Sequence, residues 1–363
     1  MNDRLKRFLR LVAVPLADAA ILLRQGLRRC LGRADTQAPG RFFSSEFSHA
    51  GLKRQYKVYV PPGVAQGSGK PLPLIVMLHG CGQHPDDFAA GTGMNELAKR
   101  HQFYVLYPAQ PKEANALRCW NWFKHNHQQR DRGEPALIAG LTREVMQTHA
   151  IDPARVFVAG LSAGGAMAAI LAAEYPELYA ALGVHSGLAP GIASNAMEAM
   201  GVMKGGAAGG AISALAWFTG PRTPKRLSVP TIVFHGDQDK TVHPRNGEQL
   251  MQARLAGHAV ADVPLPALSQ ELGRSSRGRR FTRSLYRDGV GRLVGEHWLL
   301  HGAGHAWSGG HPKASYTDAR GPDASRLMLH FFLGTGQPPS LAPVTRSGSR
   351  GSWLPWLRSQ KAW

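Results

Sequence analysis

Gly160-Leu161-Ser162-Ala163-Gly164 follows the apolar, strand-forming run Val156-Phe157-Val158 and leads into an alanine-rich stretch. A serine flanked by small residues at a strand-to-helix junction sits on a sharp, strained turn. Its neighbours must be small because main chain and helix approach closely there. Such a turn exposes the Ser162 oxygen, and the pattern predicts a nucleophile. The competing reading is an ordinary glycine-rich turn, so the rest of the chain has to decide.

Chain order is the first discriminator. Thr231-Ile232-Val233-Phe234 leads into His235-Gly236-Asp237-Gln238-Asp239, and His297-Trp298-Leu299-Leu300 leads into His301-Gly302-Ala303-Gly304-His305. A carboxylate and then a histidine thus follow Ser162, each just beyond a strand-like run. This is the order of an α/β-hydrolase triad. His305, on a glycine-flanked loop, is the expected general base; Asp237 and Asp239 compete as its acid, and Asp239 lies farther past the strand end, where the loop can reach His305.

Upstream, Leu74-Ile75-Val76-Met77-Leu78 reads as a buried strand ending in His79-Gly80-Cys81-Gly82-Gln83. A tetrahedral intermediate carries a negative oxygen, and a fixed backbone N–H aimed at it is worth roughly 2.7–4 kcal/mol. The N–H groups of Ala163, directly after the nucleophile, and of Cys81 are assigned to that oxyanion hole.

Set side by side, His79-Gly80-Cys81-Gly82-Gln83, Cys119-Trp120-Asn121-Trp122-Phe123, Gly160-Leu161-Ser162-Ala163-Gly164-Gly165, His235-Gly236-Asp237-Gln238-Asp239 and Gly304-His305-Ala306-Trp307-Ser308-Gly309-Gly310 resemble the polyhydroxybutyrate depolymerase family of esterases. The resemblance covers roughly residues 45 to 335. It implies an α/β-hydrolase fold, Asp239 as the acid, Cys81 as an oxyanion donor, and a short-chain 3-hydroxyalkanoate polyester or its oligomers as substrate. The family shades into feruloyl and acetylxylan esterases, the same-chemistry alternative. Such proteins often carry proline where this chain has Ser308. A threonine-rich linker and a substrate-binding module, found in secreted members that attack crystalline polymer, are not evident, which favours the intracellular, short-chain branch.

Trp120, Trp122 and Trp307 lie beside Cys119 or the candidate base. They are expected to wall an apolar acyl pocket, against the default of core packing. His125 and His127 form an H-x-H pair without further ligands, so no metal is expected, and the acyl-enzyme chemistry requires no cofactor.

The chain has 363 residues and a formal net charge of +19. That balance predicts attraction to anionic surfaces such as a coated polymer granule or a membrane. Nucleic acid is disfavoured, because the basic clusters lack interleaved aromatics. The sequence sets no oligomeric state. Only Cys30, Cys81 and Cys119 are present, which excludes a disulfide framework. A Cys81–Cys119 bridge and free thiols in a reducing cytosol are both open.

Residues 1–40 read as a basic amphipathic segment, because Pro15 and Asp18 interrupt the apolar run and further arginines follow it. Residues 34–50 read as a linker, residues 41–340 as the catalytic domain and 341–363 as a basic, Trp-rich tail. Strand-like runs at 74–78, 103–107, 156–160, 181–185, 230–234 and 297–301 alternate with helical stretches, which predicts a mostly parallel sheet covered on both faces. Two insertions interrupt the rhythm. Residues 191–226, with Met197, Met200 and Met203, are either a cap or a packed excursion, and 257–283 read as solvated. The expectation is a serine esterase that is cytoplasmic, with granule association, or alternatively exported. The alternative of another class is a granule- or membrane-binding protein with a vestigial hydrolase domain.

Overall fold

The computed structural model describes residues 40–49, 51–64, 69–205, 224–256, 267–289 and 291–334. The N-terminal basic segment, the C-terminal tail, and residues 206–223 of the methionine-bearing insertion lie outside the described residues.

The central strands β3 (Leu72–Leu78), β4 (Tyr104–Pro108), β5 (Ile151–Leu161), β6 (Ala181–His185), β7 (Thr231–Gly236) and β10 (Leu293–Leu300) pair in the order β4-β3-β5-β6-β7-β10, all parallel. Their near-continuous apolar character fits a sheet covered on both faces. Strand alternation sends Leu74, Val76 and Leu78 to one face with α3 (Gly133–Thr148), α4 (Ala163–Glu174) and α6 (Arg245–Ala256). Ile75 and Met77 go to the other face, with α1 (Pro85–Thr92), α2 (Met94–His101) and α7 (Ala324–Leu333). Helix α4 buries every residue from Ala163 to Ala172, as expected of a helix with no polar face at the centre of a domain.

Two expectations change. Residues 41–49 are not linker: β1 (Arg41–His49) pairs antiparallel with β2 (Leu52–Val60), which continues the sheet beside β4. Only Phe47 of β1 is buried, so this edge strand carries almost no apolar alternation to read. The segment read as a solvated insertion at 257–283 contributes a hairpin, β8 (Ala267–Arg274) and β9 (Arg280–Arg287), which extends the other edge antiparallel to β10. Of the methionine-bearing insertion, α5 (Ala196–Gly205) is described; Met197 and Met200 are exposed while Met203 packs on the core.

The hairpin's basic residues are partly internal. Arg283 is buried, donates from Nε to Glu296 Oε1 at 2.8 Å, and lies over the Trp298 ring, whose Nε1 donates to the same oxygen at 2.6 Å. Removing one member of a buried pair strands the other, at a cost of about 3–5 kcal/mol. Arg283→Met should therefore lower stability by about that amount in urea unfolding, and adding Glu296→Gln should recover most of the loss. A single-variant effect below about 1 kcal/mol would contradict the buried-pair account.

Candidate active site

Ser162 sits between the end of β5 and the start of α4 with φ 57° and ψ −121°, a left-handed φ that is unusual for a residue with a side chain. The flanking glycines make this turn feasible. A Cβ on Gly164 would lie 2.1 Å from the Leu78 carbonyl oxygen and 2.5 Å from that of His79, and one on Gly160 would lie 2.4 Å from the Gly164 carbonyl carbon. The same contact therefore packs the helix N-terminus against the end of β3, where the His79–Gln83 loop begins. Ala163 opens α4, so its N–H has no acceptor within the helix.

That loop is tied down from several sides. Gln83 accepts from Gly80 N–H at 2.9 Å and donates to the Ser315 carbonyl at 3.2 Å. His79 Nε2 accepts from Gln110 N–H at 3.1 Å, leaving Nδ1–H to donate to the Gly80 carbonyl at 2.8 Å. Gly82 N–H donates to the Leu117 carbonyl at 2.8 Å, and Cys81 is disulfide-bonded to Cys119. The bridge, rather than the free thiols, is what the structure contains.

The two aspartates after β7 separate cleanly. Asp239 Oδ2 accepts from His305 Nδ1 at 2.6 Å, while Oδ1 accepts from Thr241 and Val242 N–H at 2.9 and 2.8 Å. Asp237 instead accepts from Gly302 N–H at 2.6 Å and pairs with His301 at 3.0 Å, bracing the loop that leads to His305. Burial pushes the Asp239 carboxyl up, but the neighbouring His235 ring, the hydrogen bond from His305 and the Val242 N–H outweigh it and hold it well below the usual carboxylate range. His235 Nε2 donates to the Val242 carbonyl at 2.8 Å and lies 3.5 Å from Asp239 Oδ2.

Several groups at the site had no signal in the sequence. His185 is fully buried, stacks on Phe234 and Trp307, and accepts from Ser308 N–H at 3.0 Å. Proline at 308 has no such donor, so the departure from the family pattern is coupled to His185. Glu134 is also fully buried and accepts from Asn121 N–H at 2.8 Å and Asn121 Nδ2 at 2.7 Å, holding the segment after Cys119. Burial pushes its carboxyl up, yet the neighbouring His127 ring and the hydrogen bonds from Gln110 and Asn121 leave it lowered.

The three tryptophans are corrected. Trp120 and Trp307 are within the core, with Nε1 bonded to the His79 carbonyl at 3.1 Å and to Ser325 Oγ at 3.0 Å, and Trp122 is 5% exposed. They pack beneath the site rather than wall an open pocket, the default fate of a large apolar ring. The cavity that does touch the Cys81 loop measures about 470 Å³ and is lined by Gly82, Lys112, Leu117, Arg118 and Tyr316. Among the described residues no cluster of three or more His, Cys, Asp or Glu could hold a metal ion, and no helix is long and apolar enough to cross a membrane. His127 Nδ1 instead accepts from Glu134 N–H at 3.2 Å.

Residues 54–264 match the family model described as esterase PHB depolymerase. The chain belongs to that family. Among its relatives, poly(3-hydroxyalkanoate) depolymerase C of Paucimonas lemoignei is 32% identical over 68% of this chain and 57% of its own length. Feruloyl esterase B of Thermothelomyces thermophilus is 29% identical over 63% of this chain and 80% of its own, and a probable acetylxylan esterase A of Neosartorya fischeri is 29% identical over 52% and 51%. The chain therefore spans little more than half of the depolymerase and of the acetylxylan esterase. An acetyl xylan esterase from Aspergillus awamori superposes with a TM-score of 0.56 at 20% identity, covering 73% of this chain and 94% of that one, and shares the α/β-hydrolase fold.

The buried imidazoles set an acid limit on this family member. Burial lowers His185 to about 3 and His79 and His297 to about 4, so all three are neutral in the fold but titrate near 6.5 when unfolded. Their contribution is full above about pH 6.5 and is lost as pH falls toward about 4; Asp239, lowered, adds a further loss below about pH 4. Urea midpoints should be level above about pH 7 and drop steadily as pH falls from about 6.5 to about 4.5, and a flat profile over that range would contradict neutral burial.

Proposed function

We propose that the protein is a serine esterase acting on short-chain 3-hydroxyalkanoate polyester or its oligomers, with Ser162, His305 and Asp239 as its triad. The observation that carries this reading is the 2.6 Å bond from His305 Nδ1 to Asp239, which fixes the tautomer. With the proton on Nδ1, the Nε2 lone pair is left to take the Ser162 proton as Oγ attacks the ester carbonyl. The N–H groups of Cys81 and Ala163 stabilise the tetrahedral oxyanion. His305 then returns the proton to the leaving alcohol. Water, deprotonated by the same nitrogen, releases the acid and restores Ser162. No metal or cofactor enters these steps. The depolymerase relative supports the polyester substrate; the feruloyl and acetylxylan esterase relatives support the same chemistry on carbohydrate esters.

The Cys81–Cys119 bridge favours the exported alternative over the cytoplasmic one, because cytosolic glutathione and thioredoxin keep thiols reduced. The basic termini, residues 1–40 and 341–363, serve in this reading as two weak anchors on an anionic particle or membrane surface. Deleting both should release the protein from polyester granules in sedimentation at moderate salt while hydrolysis of small soluble esters persists. An unchanged bound fraction removes that role.

Ser162→Ala should abolish p-nitrophenyl butyrate hydrolysis with the fold retained, and equal turnover by the two proteins would leave only a binding role. Asp239→Asn should cost about 10⁴-fold in kcat, whereas Asp237→Asn, which disturbs only the bracing of the loop, should cost far less. The reverse ranking would reassign the acid.

A further inference from the structure

The segment Asn115–Cys119 is built with unusual care for a surface turn. Asn115 Oδ1 accepts from Leu117 N–H at 3.0 Å and lies 3.4 Å from Cys119 N–H, Asn115 Nδ2 donates to Asn121 Oδ1 at 3.2 Å, and Arg118 N–H donates to the Asn115 carbonyl at 2.7 Å. The result holds Arg118 at φ 51°, a left-handed backbone that glycine or asparagine would adopt at lower cost. Strain kept at an arginine, where turn chemistry would choose another residue, points to a use for its side chain.

The Arg118 backbone is fixed relative to the oxyanion loop on both sides. Leu117 accepts from Gly82 N–H, and Cys119 is bonded to Cys81, so Arg118 stands between two ties to the loop that carries the Cys81 oxyanion donor. Arg118 and Lys112 both line the 470 Å³ cavity against Cys81 and Gly82, and both also line the adjoining 840 Å³ groove. Among the described residues neither forms an ion pair with a carboxylate. Leu117 and Tyr316, large and more than half exposed, supply apolar wall to the same cavity.

Two unpaired cations beside an apolar wall, one of them on a rigid strut from the oxyanion loop, form a receptor for a short aliphatic acid. We propose that Arg118, assisted by Lys112, binds the free carboxylate of the alcohol portion of the substrate, so that the preferred ester is a hydroxyacid oligomer ending in a carboxylate. This rests on the esterase reading above and sharpens it. In a 3-hydroxybutyrate dimer the bond cleaved lies between the acyl unit and the hydroxyl of a second unit that carries the free acid. A carboxylate held by Arg118 therefore places the scissile carbonyl next to Cys81. Acetylated or feruloylated sugars offer no such group on the alcohol side. Guanidinium suits this task because its planar fork meets both carboxylate oxygens.

The test compares the 3-hydroxybutyrate dimer acid with its methyl ester, in which a methyl group removes the charge, and scores cleavage of the internal ester bond alone. In the wild-type protein the ratio of kcat/KM, acid over methyl ester, should be about tenfold or more in favour of the acid, and should shrink as salt is raised from low to near-molar concentration. Arg118→Gln should collapse the ratio toward unity, Lys112→Gln should lower it in part, and Arg118→Lys should retain an intermediate value. Arg118→Asn, which suits the left-handed backbone, controls for strain and should collapse the ratio as Arg118→Gln does. A wild-type ratio near unity, or a ratio unchanged in Arg118→Gln and Arg118→Asn, overturns the subsite while leaving the esterase reading intact. Failure of the wild-type protein to cleave either ester or p-nitrophenyl butyrate would instead overturn the esterase reading and the subsite with it.

Discussion

Everything at the candidate site depends on the contact between the N-terminus of α4 and the end of β3. Gly164 lies so close to the Leu78 and His79 carbonyls that no side chain fits, and Gly160 lies equally close to Gly164. This approach forces Ser162 into its left-handed backbone and sets the first free N–H of α4 beside the His79–Gln83 loop. Nucleophile and oxyanion donors are thus not independently positioned. They share one packing constraint, and substitution at either glycine displaces both.

Around that constraint the protein fixes its polar groups by neutral hydrogen bonding rather than by exposed ion pairs. His79 and His185 are held uncharged by burial, each accepting one backbone N–H, from Gln110 and Ser308, on segments remote in sequence. Asp239 and Glu134 are exceptions, kept ionised by converging donors although they are buried. At Asp239, the charged carboxylate facing the His305 ring is the arrangement that holds its tautomer and stabilises the imidazolium formed when Ser162 gives up its proton.

The parallel core was legible in the sequence because its strands are apolar runs bounded by turns, and its helices carry a distinct register. Strands β3, β5, β6 and β7 fall within a few residues of where those runs place them. The edges were not legible. Strand β1 buries one residue of nine, and β8 and β9 are polar and basic, so neither shows the alternation that marks a half-buried strand. At the site, Ser162, Asp239 and His305 stand out because each follows a strand end. Glu134, His185 and Arg118 do not, because their meaning lies in contacts tens of residues away. The tryptophans illustrate the opposite error: proximity in sequence to Cys119 and His305 suggested a pocket, whereas ring size and the need for an Nε1 acceptor drew Trp120 and Trp307 inside.

The central claim is that one packed junction presents Ser162 and the Cys81 and Ala163 N–H groups to the same reacting carbonyl. The most direct measurement is a crystal structure of the protein after reaction with an alkyl fluorophosphonate. The account predicts phosphorus bonded to Ser162 Oγ and the phosphoryl oxygen at about 2.7–3.1 Å from both Cys81 N and Ala163 N. An adduct at another residue, or a phosphoryl oxygen turned away from those two N–H groups, would contradict it.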